Sequence, residues 1–261
     1  MSTSDKTQTL TSVKKELTKQ AFGSHADEVD GLRTELAKID FEARKQLIKA
    51  QSGVFERRKD IIKGIPKFWA LTFERSTLDT FIEEADKDAL GNLLDLSLEY
   101  GIEDPREYTV TFTFTKENPY FKETELKKTF RIPEAIKKEL AYDIDAPTVS
   151  NATTISWSSE NHNLVKKSPR PDISQLEEYD EFQGTGSFFN LFADTTGEFD
   201  FGEELRSVYE AALDLYAGIG DVDAEEDSDE LEDEDDGPDD EEEVDLGDSE
   251  TDMPKKKKQK K

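Results

Sequence analysis

From Asp27 to Lys63 the apolar positions fall on one helical stripe. Val29, Leu32, Leu36, Ile39 and Ala43 step by three and four, the spacing of a coiled-coil seam. The seam then shifts by four to Leu47 and continues through Ala50, Val54 and Ile61, as a stutter produces. Ser24 and Asp27 form a capping box at its start, and no proline intervenes before Pro66. At ~1.5 Å per residue the segment makes a rod of about 55 Å. A rod this long with an apolar seam calls for a partner along its length. Antiparallel self-pairing is the economical answer, and packing on its own domain is the alternative.

The period then changes. Gly64-Ile65-Pro66-Lys67-Phe68-Trp69 breaks the helix and supplies an aromatic anchor, followed by a short helical stretch from Leu71 to about Ala85. From Leu93 the repeat is two. Leu94, Leu96, Leu98 and Tyr100 oppose Asp95, Ser97 and Glu99, while Tyr108, Val110, Phe112 and Phe114 alternate with threonines 109, 111, 113 and 115. After the Asn118-Pro119 turn, Leu126, Phe130 and Ile132 alternate with Lys127, Thr129 and Arg131, and Thr153 to Trp157 reads as a fourth short strand. Strands with one apolar and one polar face predict an antiparallel sheet covered on one side. The cover comes from Ser187-Phe188-Phe189-Asn190-Leu191-Phe192, a short buried helix. A second helix carries Leu205, Val208, Tyr209, Ala212, Leu215, Tyr216 and Ile219 on one face, capped by Asp200 and Glu203 and stopped near Gly218.

Charge extends this α+β picture. The 261-residue chain carries a formal net charge of −28. Residues 221–252 hold 21 acids and no Lys or Arg, and residues 255–261 then supply six lysines. Such a polyanion cannot bury a core, so a disordered tail is expected. The organisation predicted is an N-terminal segment (1–23), the long helix (24–65), an α+β domain (66–220), an acidic tail (221–254) and a lysine-rich terminus (255–261). With no Cys there is no disulfide framework or thiolate metal site. No apolar run spans a bilayer and the N-terminus lacks the order of a signal peptide, so an intracellular protein without a membrane is expected. The net charge opposes DNA as the main ligand, leaving it indirect or weak contact, and favours a strongly basic partner.

Reaction chemistry finds little support. His25 and His162 fall in loop or helix-start positions, Gly184-Thr185-Gly186 lacks a third glycine, and Glu226 stands where a calcium loop beginning at Asp221 needs glycine. No enzyme activity and no cofactor or metal are expected. Binding signals are stronger. Asp172, Glu177, Glu178, Asp180, Glu181, Asp194, Glu198, Asp200, Glu203 and Glu204 occur with no base among them, interleaved with Tyr179, Phe182, Phe199 and Phe201. They predict a surface for a cationic partner. Lys38 to Lys63, with eight bases and four acids, is mildly basic by contrast. Pro254 followed by Lys255, Lys256, Lys257, Lys258, Lys260 and Lys261 fits a nuclear import signal read by an import receptor.

Four aromatic motifs in this order resemble the nucleosome assembly protein family, and within it the SET-like histone chaperones: Gly64 to Trp69, Glu117-Asn118-Pro119-Tyr120-Phe121, Ile155-Ser156-Trp157, and Ser187 to Phe192. The terminus looks most like the fungal member that partners a histone acetyltransferase. The resemblance covers about residues 25–220. It implies a headphone-shaped homodimer, paired along Val29 to Ile61, whose sheet-and-helix earmuffs bind core histones through the Asp172–Glu204 acids with help from the tail. It implies a nuclear protein, with shuttling through the cytoplasm open. Two other roles stay open: an adaptor or regulator of a histone acetyltransferase or a phosphatase, and a carrier for ribosomal or other basic nuclear proteins.

Overall fold

The computed structural model describes residues 3–170, 186–196 and 201–219, with side chains from residue 12 onward. All of these lie in the first of two units, Met1–Val222 and Asp223–Lys261. The elements are α1 (Thr3–Phe22), α2 (Ala26–Ile62), α3 (Phe68–Glu74), α4 (Glu84–Leu90), β1 (Leu93–Tyr100), β2 (Tyr108–Phe114), β3 (Glu125–Arg131), α5 (Glu134–Lys137), β4 (Val149–Ser150), α6 (Leu164–Lys167) and α7 (Phe201–Ala217). The α+β class, the long N-terminal helix and the four-stranded antiparallel sheet agree with the sequence pattern. The acidic tail and the lysine-rich terminus lie outside the described residues.

α2 matches its expected span to within one residue at each end, but its start is built differently. Ser24 lies in a 3-10 turn, Gly23–His25, and His25 takes the N-cap position without a side-chain cap bond. Gly23 adopts φ +54°, a left-handed conformation cheap only for glycine. α1, to which the sequence pattern assigned no element, packs against α2 beyond this turn. Arg33 donates to Thr18 Oγ1 at 2.6 Å and stands over the Phe22 ring. The helix forms because Lys14 to Gln20 is rich in unbranched side chains, with no Pro or Gly before Gly23.

α2 carries two stripes. Phe41, Arg58 and Ile62 are buried and Phe55 is half-buried, all on the side packed against the rest of the chain. Arg58 is enclosed by the Phe55, Trp69 and Tyr209 rings and donates to the Tyr209 carbonyl at 2.5 Å. The predicted seam runs roughly 100° around the helix from this stripe.

After α2 the chain turns through Lys67 at φ +56° and buries Phe68, Trp69 and Phe73 in α3. The single helix expected from Leu71 to Ala85 is two helices with a 3-10 turn, Thr77–Phe81, between them. Ser76 causes the break, its hydroxyl accepting from the Leu78 amide at 3.2 Å. α4 starts at a Glu83–Asp86 capping box. Asp86, fully buried, also accepts from Ser187 Oγ at 2.6 Å and the Phe188 amide at 2.7 Å. One carboxylate thus caps α4 and the buried Phe188–Phe192 turn, which is 3-10 rather than α.

The sheet is a meander in the order β1-β2-β3-β4. A register shift between Leu93 and Asp95 turns Leu94 out to solvent, so Leu93 and Leu96 are the buried pair, not Leu94 and Leu96. The fourth strand is also displaced. It is Val149–Ser150, paired with Arg131 and Phe130, whereas Thr153–Trp157 contributes only a bridge between Trp157 and Phe121. The chain leaves the sheet because side chains replace the ladder. Asn151 Oδ1 accepts from the Thr129 amide at 2.7 Å, Thr153 Oγ1 donates to the Lys127 carbonyl, and the Thr153 amide turns to the Phe192 carbonyl at 2.6 Å.

Lys128 sits on the buried face of β3 among the apolar residues, fully enclosed. Its ammonium donates to the Asn151 carbonyl at 2.7 Å and to the carbonyl of Asp194. Burial pushes its pKa down to about 8. α7 closes the core with Leu205, Val208, Tyr209 and Ala212, and Gly218 at φ +72° follows its last turn. Asp200, the expected partner in the α7 cap, lies outside the described residues.

Candidate acidic cleft and helical seam

Seven of the ten acids expected at a cationic-partner surface (Asp172, Glu177, Glu178, Asp180, Glu181, Glu198 and Asp200) lie outside the described residues. The other three, Asp194, Glu203 and Glu204, line one cleft of about 330 Å³. Asp145 joins them from the loop before β4, and Tyr108, Phe130, Leu191 and Phe201 supply apolar lining.

The cleft is positioned by a close approach. The Tyr108 and Phe130 rings stack with centroids 4.9 Å apart, and the first turn of α7 sits directly on them. A Cβ at Gly202 would lie 2.5 Å from the Tyr108 hydroxyl and 2.7 Å from the Phe130 ring, so only glycine allows this contact. Glu203 and Glu204 follow immediately and are thereby held at the mouth. Arg106 braces the opposite wall. It is buried, paired with Asp104 at 2.7 Å, and donates to the Leu140 and Asp143 carbonyls, which ties down the loop carrying Asp145.

The acids differ in how far they are neutralised. Asp194 is largely enclosed, paired with Arg170 at 3.2 Å and accepting from the amide and hydroxyl of Thr196. Burial alone would raise its carboxyl, but the Thr196 bonds and the Arg170 charge outweigh that and hold it below the usual range. Glu203 pairs with Arg206, and Glu204 accepts from the Thr77 hydroxyl. Asp145 has no side-chain partner among the described residues. Tyr108 is raised above an ordinary phenol, mainly by burial.

Sequence reasoning found three of the cleft's acids but missed Asp145 and the aromatic floor. Tyr108 and Phe130 read as core positions of two strands, and only their pairing across β2 and β3 reveals a shared site.

The second predicted surface is the α2 seam. Leu32, Leu36, Ile39, Leu47, Val54 and Ile61 are 45–71% exposed, Ala43 and Ala50 are also exposed, and Val29 is half-buried. From Leu32 to Ile61 the seam is therefore uncovered by the other described residues of the chain. The mildly basic character of the rod is partly used internally: Arg44 pairs with Glu210 at 2.5 Å, Lys59 with Asp95 at 2.8 Å, and Arg58 is buried. The import lysines lie outside the described residues. Among the described residues no helix is long and apolar enough to cross a membrane.

The four aromatic motifs converge. Phe121 lies 5.8 Å from Trp157 and 5.6 Å from Phe189, and Trp157 lies 5.6 Å from Phe189. Trp69 of the first motif packs on Phe73, which in turn meets Phe188. The four motifs, far apart in sequence, form one packing unit. A model of the nucleosome assembly protein family matches residues 2–253.

The chain belongs to the nucleosome assembly protein family.

Its relatives within that family include NAP1-related protein 2 of Oryza sativa subsp. indica, 30% identical over 182 residues, covering 65% of this chain and 64% of the relative. Protein SET of Drosophila melanogaster is 27% identical over 172 residues, covering 65% of this chain and 61% of the relative. The chain thus spans just under two thirds of the length of these curated relatives. Among solved structures, the Vps75 Histone Chaperone shares the fold, with a TM-score of 0.54 at 21% identity over 76% of this chain and 100% of the other. The SET-like resemblance read from the motifs is in keeping with these relatives.

Proposed function

We propose that this nucleosome assembly protein is a nuclear histone chaperone that acts as a homodimer. The observation that carries the reading is the convergence of Asp194, Glu203, Glu204 and Asp145 on one aromatic-floored cleft in a member of this family. Residues 24–65 pair with a second copy through the exposed seam. Residues 66–220 bind core histones through the cleft and the other acids of 172–204, and residues 221–254 supply further acidic contacts to the same partner. The lysines of 255–261 engage an import receptor, and an acetyltransferase is a candidate further partner.

The physical logic is reversible charge screening. Core histones carry dense positive charge that binds DNA indiscriminately. A carboxylate-lined cleft and a polyanionic segment neutralise part of that charge at modest strength per contact. DNA has a higher linear charge density and displaces the chaperone, so DNA enters as a competitor rather than a ligand. No bond is made or broken, and the reading needs neither an enzyme activity nor a cofactor.

The test is a hand-over experiment. Fluorescent core histones pre-bound to the full chain are mixed with DNA at near-physiological salt, and nucleosome formation is followed by nuclease protection. Ordered nucleosomes in place of the aggregates formed by histones and DNA alone support the reading. Aggregation at the same rate with and without the chain contradicts it.

A further inference from the structure

We propose that the cleft is a socket for one cationic side chain, a lysine or arginine of the basic partner, rather than part of a diffuse acidic face. This deepens the histone-chaperone reading and rests on it for the identity of the partner.

The floor carries the argument. Tyr108 is 4% exposed as a residue and lines the cleft, and its hydroxyl makes no hydrogen bond among the described residues yet is not sealed from solvent. In the free protein that hydroxyl is met only by solvent in the cleft. A group entering from the mouth with an N–H to donate would satisfy it. The Tyr108, Phe130 and Phe201 rings give the cleft apolar lining for the aliphatic stem of such a side chain. Beside the cleft the chain already sets a cation against one of these rings, where the Arg170 guanidinium stands 5.7 Å from the Phe201 centroid.

Charge at the mouth agrees. The two arginines on the walls are already answered, Arg106 by Asp104 and Arg206 by Glu203. Asp145 has no side-chain partner among the described residues, and Glu204 has a hydroxyl, not a cation. Two carboxylates are therefore available to an incoming positive charge. A cavity of about 330 Å³ is at the small end of ligand sites, which begin at roughly 300 Å³. That size suits a side chain and not a folded segment.

The probe is n-butylammonium, the lysine side-chain cation alone, with n-butylguanidinium as the arginine arm and n-butanol as the neutral control. Full-length protein labelled at tyrosine rings and glycine amides is titrated with each by NMR. Saturable shifts at the Tyr108 ring and the Gly202 amide with either cation, and none with butanol, are the expected result. Asp145→Asn combined with Glu204→Gln weakens cation binding by roughly tenfold, the amount two partly exposed ion pairs supply together. Tyr108→Phe, read at Gly202, weakens it by about fivefold for the lost hydrogen bond. Shifts of equal size with butanol, or cation binding unchanged in the double variant, overturn the socket. Core histones titrated against the same proteins separate the two levels. Histone binding by the full chain with no cation binding at Tyr108 removes the socket and leaves the chaperone reading. Cation binding without histone binding does the reverse.

Discussion

The α2 seam and the acidic cleft are both exposed in the single chain, and they could hardly be less alike. The seam is apolar from Leu32 to Val54 and again at Ile61, and its side chains stand out on an exposed helix surface. The cleft is small, lined by carboxylates, and built on rings held by a glycine contact. Apolar surface of the first kind is stabilised by leaving water and is indifferent to salt. Charge of the second kind weakens as ions screen it. The difference teaches that one chain carries surfaces suited to two sorts of partner: a lasting one along the helix, proposed above to be a second copy, and an exchangeable one at the cleft.

The sharpest way to break this comparison is to make the seam resemble the cleft. Leu36→Glu with Ile39→Glu puts four carboxylates into a two-fold interface, and should weaken self-association by at least ~1,000-fold through uncompensated burial of charge. Sedimentation equilibrium reads it, and circular dichroism should show the sheet domain still folded.

Lys128 tests how the cleft is held. Lys128→Met strips the donor from the carbonyls of Asn151 and Asp194, and should cost about 2–3 kcal/mol in denaturant melts. With a folded-state pKa of about 8 against an ordinary value of 10.5, the unfolded chain binds more protons between those limits. Wild-type stability therefore rises with pH across that window relative to the variant, so the deficit widens from pH 8 upward. A deficit constant with pH would place the lysine's charge elsewhere.

Salt should separate the two surfaces directly. Histone affinity falls at least roughly tenfold between about 0.15 and 0.5 M salt, while the dimer constant holds or rises. Deleting residues 221–261 should weaken and slow histone capture and leave dimerisation unchanged, measured by stopped-flow fluorescence and sedimentation. Unchanged capture would remove the tail from the account. The smallest effect is expected at Asp194→Asn. Arg170 and Thr196 already occupy that carboxylate, so the variant should lose about 1–2 kcal/mol of stability and little histone affinity.

Much of the fold was legible because its signals are local and long. The α2 periodicity persists over ten turns, and the threonine alternation of β2 is strict. What escaped depends on contacts distant in sequence. Nothing local marks Leu94 as the residue turned out, since its neighbours fit either face until β2 sets the register. β4 is two residues long, and its outward continuation is replaced by Asn151 and Thr153 side chains. Lys128 broke the alternation of β3 as a charged residue on the apolar face, a signal that acquires meaning only when the Asp194 carbonyl is seen above it. The cleft was half legible. Its acids stand out by charge, whereas Tyr108 and Phe130 look like any core rings until Gly202 is packed onto them.

The most direct test of the central claim is a sedimentation titration of the full-length protein with each core-histone pair at near-physiological salt. The account predicts a stable dimer that binds histones saturably at a fixed stoichiometry and releases them to DNA. Binding that never saturates and disappears with modest added salt would mean a generic polyanion, and would contradict it.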